Sequence, residues 1–138
     1  NKLEKEVVKN LKKAILMVSG KAAEVFGQKL NDEQELLMLL ADMLIELYVS
    51  ESVILRTEKL IELYEEDGSR LYQNLARIYL YEAVQKIKSH GDEAVSSFVS
   101  GDELKVMLMG MKRFTKMDPL NTIEMRTLLT SSIMCMKL

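Results

Sequence analysis

A chain of 138 residues with net charge −2, from 19 basic and 21 acidic side chains, has room for one domain and one core, 1–138. That balance gives no general attraction to nucleic acid or to an anionic membrane. The single cysteine, Cys135, excludes an intrachain disulfide and fits a reducing compartment; no apolar run reaches the ~18 residues of a membrane span, and nothing at the start reads as a signal peptide. The chain opens at Asn1 rather than methionine, as a processed product or a piece of a longer protein would. Seven of its ten methionines fall at or after Met107.

From Leu3 to Phe26 the residues Leu3, Val7, Leu11, Ile15, Val18, Ala22 and Val25 recur at spacings of three and four, which predicts an amphipathic helix stopped by Gly27. Gly20, beside Ser19, Ala22 and Ala23, is either a tolerated glycine or a patch that lets another helix approach. Asn31 or Asp32 can cap the second helix, with Gln34 or Glu35 returning a capping-box bond. No breaker then appears until about Glu66, which makes this helix roughly 50 Å long. Leu36, Leu40, Met43, Leu47, Ile54 and Ile61 form one apolar stripe, Leu37, Leu44, Tyr48 and Leu55 a second, and Met38, Ile45 and Val49 lie further round. A helix apolar on several sides should be buried on several sides, or face a partner outside this chain.

Gly68 ends that helix and Ser69 can start a third, on which Tyr72, Ala76, Tyr79, Ala83 and Ile87 share a face broadened by Leu71, Leu75 and Ile78. His90-Gly91 should close it, with a short helical piece from Asp92 to Val99 following. Ser100 and Glu103 are spaced as a capping box for a helix carrying Leu104, Met107, Leu108, Met111 and Phe114. Pro119 interrupts the pattern, and Asn121 with Glu124 make a further box before Ile123, Leu128, Leu129 and Ile133. No sustained period-two alternation is visible. The fold class is therefore all-α, an antiparallel helical bundle of about four or five helices with one long central helix.

Catalytic chemistry finds no support. A di-iron bundle needs Glu-x-x-His pairs and a zinc site needs several Cys or His ligands; the chain has one histidine. His90 at a helix end suits the dipole better than general-base work. Cys135, in the apolar tail Ile133 to Met136, reads as a small buried hydrophobe. Asp42 and Glu46 lie one turn apart, with Arg56, Arg70 or Arg77 as candidate partners, and read as an ion-pairing stripe. Ser19-Gly20-Lys21 lacks the context of a phosphate loop. The basic cluster Lys105, Lys112, Arg113 and Lys116 is interleaved with methionines and a phenylalanine, unlike a DNA-reading helix, and no nucleic-acid partner is expected.

Three stretches carry a family resemblance. They are Leu40-Ala41-Asp42-Met43-Leu44-Ile45-Glu46-Leu47-Tyr48 with Glu51-Ser52 and Leu55-Arg56-Thr57-Glu58-Lys59; Ala76-Arg77-Ile78-Tyr79-Leu80-Tyr81-Glu82-Ala83; and Gly101-Asp102-Glu103-Leu104 with Met107-Leu108-Met109-Gly110 and Lys112-Arg113-Phe114-Thr115-Lys116. From about Leu11 to Thr122 the chain resembles the C-terminal helical extension of bacterial long-chain-type acyl-CoA dehydrogenases and, more distantly, the matching region of the mitochondrial very-long-chain enzyme. The tail from Leu128 to Leu138 lies outside this likeness.

The resemblance implies a parent that oxidises acyl-CoA with FAD in fatty-acid β-oxidation, in the cytoplasm. The flavin, the thioester and the catalytic glutamate would belong to a core preceding this region. This piece would hold no catalytic, cofactor or metal residue and would pack on that core or on another subunit, a homodimer included. The resemblance to the mitochondrial enzyme adds peripheral membrane contact. The competing expectation is a stand-alone helical module whose apolar grooves bind a partner helix. One segment stands out as a candidate membrane or partner surface: Lys105, Met109, Lys112, Arg113 and Lys116, cations flanking flexible methionine.

Overall fold

A computed structural model describes residues 2–136 as five α-helices, with no strand among them: α1 (Lys2–Phe26), α2 (Gln34–Gly68), α3 (Arg70–Phe98), α4 (Gly101–Phe114) and α5 (Thr122–Met136). A 3₁₀ segment, Gly27–Asp32, joins α1 to α2. Ion pairs fix the relative directions. Lys5–Glu58 at 2.7 Å and Lys12–Glu51 at 2.9 Å set α1 antiparallel to α2. Tyr79 and Lys86 both reach Glu46, at 2.9 and 3.5 Å, while the Gly91 backbone lies near Met43, so α2 and α3 form an antiparallel hairpin. Lys21 pairs with Glu103, and Met17 lies against Gly110, which sets α4 antiparallel to α1. α1 and α3 run parallel across the bundle, tied at one end by Glu4–Arg77 at 3.6 Å and at the other by the Phe26 and Phe98 rings, 5.4 Å apart. Among the described residues α5 rests on α3 alone, where Arg126 pairs with Glu82.

The core follows the predicted helical period closely in α1 and α4. Leu11, Ala14, Ile15, Val18 and Ala22 of α1 are buried, with Met107 and Met111 of α4. Leu104, Leu108 and Phe114 pack against them half-buried. Leu3 and Val25, at the ends of the α1 stripe, are exposed. On α3 the buried face is Ala76, Leu80, Ala83, Val84, Ile87, Ala94 and Val95, with Ile78 beside it; Tyr72 and Leu75 are exposed near the hairpin tip.

Several expected boundaries are corrected. α3 does not stop at His90-Gly91 but runs through it to Phe98. Gly91 is buried in mid-helix because Met111 of α4 and Met43 of α2 close over it; an added Cβ would stand 2.9 Å from Met111 Sδ and 3.2 Å from Met43 Cε. This glycine serves close approach rather than termination. Gly20 meets nothing within 4 Å and is the tolerated kind. Gly27 does end α1, at φ +54°. Glu33, not Asn31 or Asp32, precedes α2, and Gln34 turns back to the Asn31 carbonyl at 3.1 Å. Ser100 precedes α4 without a side-chain cap bond, and the Glu103 carboxylate pairs with Lys21. The Asn121 box does form: the Glu124 amide donates to Asn121 Oδ1 at 3.1 Å, and Asn121 Nδ2 donates to the Glu124 carboxylate at 3.2 Å.

The turn from α2 to α3 is tight. Glu65 sits at φ +63°, a left-handed conformation that costs a non-glycine residue about 1–2 kcal/mol. Buried Ser69 holds the turn by donating to the Glu65 carbonyl at 2.7 Å, and Gln73 donates to Ser69 Oγ at 2.9 Å.

Candidate interaction surfaces

Among the described residues no group of three or more His, Cys, Asp or Glu side chains could hold a metal ion. The carboxylates singled out from sequence lie one turn apart on α2 and differ in their surroundings. Glu46 accepts hydrogen bonds from Tyr79 Oη and pairs with Lys86, so it ties α2 to α3. Burial, then the hydrogen bond and charge of Glu46, push the Tyr79 phenol up to about 12, so it stays a donor at any physiological pH. Asp42, one turn earlier on the same helix, is exposed. Arg77 and Arg70 serve neither acid: they pair with Glu4 and with Asp67, the latter at 3.5 Å. His90 lies inside α3 rather than at its end, half-buried, with Nδ1 shielded from solvent and unpartnered. Cys135 is exposed, not buried; among the described side chains of α5 Leu129 is the one buried hydrophobe, and residues 130–135 are all exposed. Ile123, Leu128 and Ile133 are exposed with it.

Two surfaces remain. The first is the outer face of α4 and its extension, where Lys105, Met109, Lys112, Arg113 and Lys116 are all exposed. At ~100° per residue Lys105, Met109, Lys112 and Arg113 fall within one third of the circumference of α4, and Lys116 lies two residues beyond its end. Val106, missed from sequence, shares that face and is 67% exposed. Lys112 and Arg113 also lie in the last turn of α4, where they complement the helix dipole. Lys105 stands 4.0 Å from Asp102, an exposed pair that removes little of the charge. Lys116 and Met117 also border an open groove of about 680 Å³ walled by Leu3, Val7 and Arg77.

The second surface is on α2 and corrects the expectation of burial on several sides. Leu36, Leu40, Met43 and Ile54 are buried against α1 and α3. Met38, Leu44, Ile45, Tyr48 and Leu55 are 51–73% exposed on the other side. Both candidate stripes beyond the first therefore face outward. Sequence periodicity shows that these stripes exist; it carries no information about which one meets a neighbour.

Comparisons with known proteins bear on what such surfaces serve. A family model described as acyl-CoA dehydrogenase, C-terminal domain, matches residues 10–113. A probable acyl-CoA dehydrogenase of Bacillus subtilis (strain 168) is 34% identical over 121 residues, which is 88% of this chain and 20% of that protein. The crystal structure of an acyl-CoA dehydrogenase complexed with FAD from Bacillus anthracis superposes with a TM-score of 0.91 at 35% identity, over 95% of this chain and 22% of that one. The chain spans about a fifth of the length of both relatives.

Proposed function

The chain belongs to the family of acyl-CoA dehydrogenase C-terminal domains, and on that premise we propose that it is a non-catalytic domain of an FAD-dependent enzyme of fatty-acid β-oxidation. Its work is structural: the bundle 1–138 packs on the catalytic core or on another subunit. The observation that carries this reading is the match, over about a fifth of its length, to a dehydrogenase complexed with FAD. The broad apolar surface of α2 supplies the docking area such a role needs. A cytoplasmic location belongs to the same reading; no described helix is long and apolar enough to cross a membrane.

The test compares this chain with the full-length polypeptide that carries it. The full-length protein should purify with about one flavin per subunit and oxidise acyl-CoA in a dye-coupled assay, while the 138-residue chain does neither. Flavin retained by the chain alone, or a flavin-free full-length protein without turnover, would overturn the assignment.

A second role has one observation behind it: three cations and two apolar side chains share the outer face of α4, with the exposed Lys116 just beyond its end. That composition suits an anionic bilayer surface or an acidic protein partner. On this reading the full-length protein sediments with vesicles containing anionic lipid, and Lys112→Glu with Lys116→Glu weakens that binding while leaving the helical content unchanged. Equal sedimentation of both proteins returns these lysines to ordinary solvated positions.

A further inference from the structure

A third surface stands at the turn between α2 and α3. The Lys5–Glu58 and Lys12–Glu51 pairs set a register that puts Lys2, where α1 begins, level with Ile61. α2 continues seven residues further, to Gly68, and residues 62–68 are all exposed. On this projecting tip Leu63 and Tyr64 are more than half exposed, with Tyr72 and Leu75 of the returning helix exposed as well. Glu62, Glu65, Glu66 and Asp67 are interspersed with them in the chain. Arg70 pairs with Asp67 at 3.5 Å, and the other three acids make no ion pair among the described residues. The turn is built to hold its shape. Glu65 has φ +63° and ψ 176°, a conformation that glycine alone adopts readily. Three bonds hold it: Ser69 Oγ donates to the Glu65 carbonyl at 2.7 Å, and Gln73 Nε2 donates to Ser69 Oγ at 2.9 Å and to the Glu66 carbonyl at 3.1 Å.

Exposed apolar side chains, two of them tyrosines, on a strained turn that a buried serine fixes have the composition of a binding hot spot. Their geometry is set in advance, so little conformational freedom is lost when they are covered. We propose that this tip anchors the domain to the rest of the dehydrogenase polypeptide, seated in an apolar socket rimmed by lysine and arginine. Four acids against one arginine make the tip negative, so the complementary surface is positive. The chain spans about a fifth of both relatives, and the matching family model is that of a C-terminal domain. In such proteins the remaining polypeptide therefore joins this bundle at the start of α1, which lies at the base of the tip. Covalent attachment there gives a socket on that polypeptide a high effective concentration at the tip. The inference rests on the reading above in taking the chain as part of a dehydrogenase, and it adds the element that makes the contact and the chemistry it meets.

Hydrogen exchange of backbone amides, compared between the 138-residue chain and the full-length protein, tests the docking. Flavin content and turnover test the enzyme assignment separately. Amides of residues 62–75 should exchange about tenfold more slowly in the full-length protein. Leu63→Ala with Tyr64→Ala should return them to the rate of the isolated chain. In that chain the same pair should leave the thermal midpoint close to the parent's, because both side chains are exposed. Glu62→Lys with Glu66→Lys should also remove the protection, by opposing the positive rim, and added salt should weaken it in the parent. Tip amides that exchange equally fast in both proteins overturn the proposal, even where the full-length protein carries flavin and turns over. Protection that survives either pair of substitutions overturns it as well.

Discussion

The two long sides of α2 differ little in composition and completely in fate. One carries Leu36, Leu40, Met43 and Ile54, all buried where α1 and α3 converge. The other carries Met38, Leu44, Ile45, Tyr48 and Leu55, all more than half exposed. Apolarity alone does not stabilise a helix; burial does, at about 25 cal/mol per Å² removed from water. The outer side therefore contributes little to the stability of this chain.

Substitutions that place the same charge on the two sides sharpen this contrast most. Leu40→Asp drives an unpaired carboxylate into the core and should cost about 4 kcal/mol or more, read as a large drop in thermal midpoint. A midpoint within a degree or so of the parent's would show that the bundle does not close over α2 as described. Next comes the layer where α2, α3 and α4 meet. Gly91→Ala forces Met111 and Met43 to move and should cost roughly 1–3 kcal/mol, by denaturant titration. An unchanged or raised stability would mean that the flexible methionine ends swing aside freely.

Smaller effects define the border between the two sides. Tyr79→Phe removes the bond to Glu46 that ties α2 to α3 and should cost about 1 kcal/mol. The same substitution should abolish the high-pH phenol titration, which burial and Glu46 displace upward to about 12. The smallest effect belongs to Leu44→Asp on the outer side, expected within about 0.5 kcal/mol of the parent in the monomeric chain. A loss there as large as that of Leu40→Asp would erase the distinction between the sides.

Much of the helical order was legible before any coordinates. The spacing of Leu11, Ile15, Val18 and Ala22 predicts the buried face of α1, and Met107 with Met111 the buried face of α4. The Asn121–Glu124 box marks the start of α5 because both partners are local and no distant group competes for them. The Ser100–Glu103 spacing is the same, yet no such box forms: Ser100 makes no side-chain cap bond, and the Glu103 carboxylate goes to Lys21 of α1. His90-Gly91 reads as a stop by local rules, whereas the chain needs a glycine there so that two methionines can approach. Cys135 and its neighbours read as core from composition, but among the described residues α5 has only α3 to rest on.

By itself the sequence determined the helical class, since apolar spacings of three and four persist in the absence of any strand period, and the ordered stretches that resemble the acyl-CoA dehydrogenase extension. What only the tertiary structure decided is which stripe of α2 is inside. A helix apolar on several sides can present any of them to a neighbour. The choice falls to long-range pairs such as Lys12–Glu51 and Tyr79–Glu46, which turn one side of α2 toward α1 and α3. Those contacts join residues more than thirty positions apart, beyond the reach of any local period.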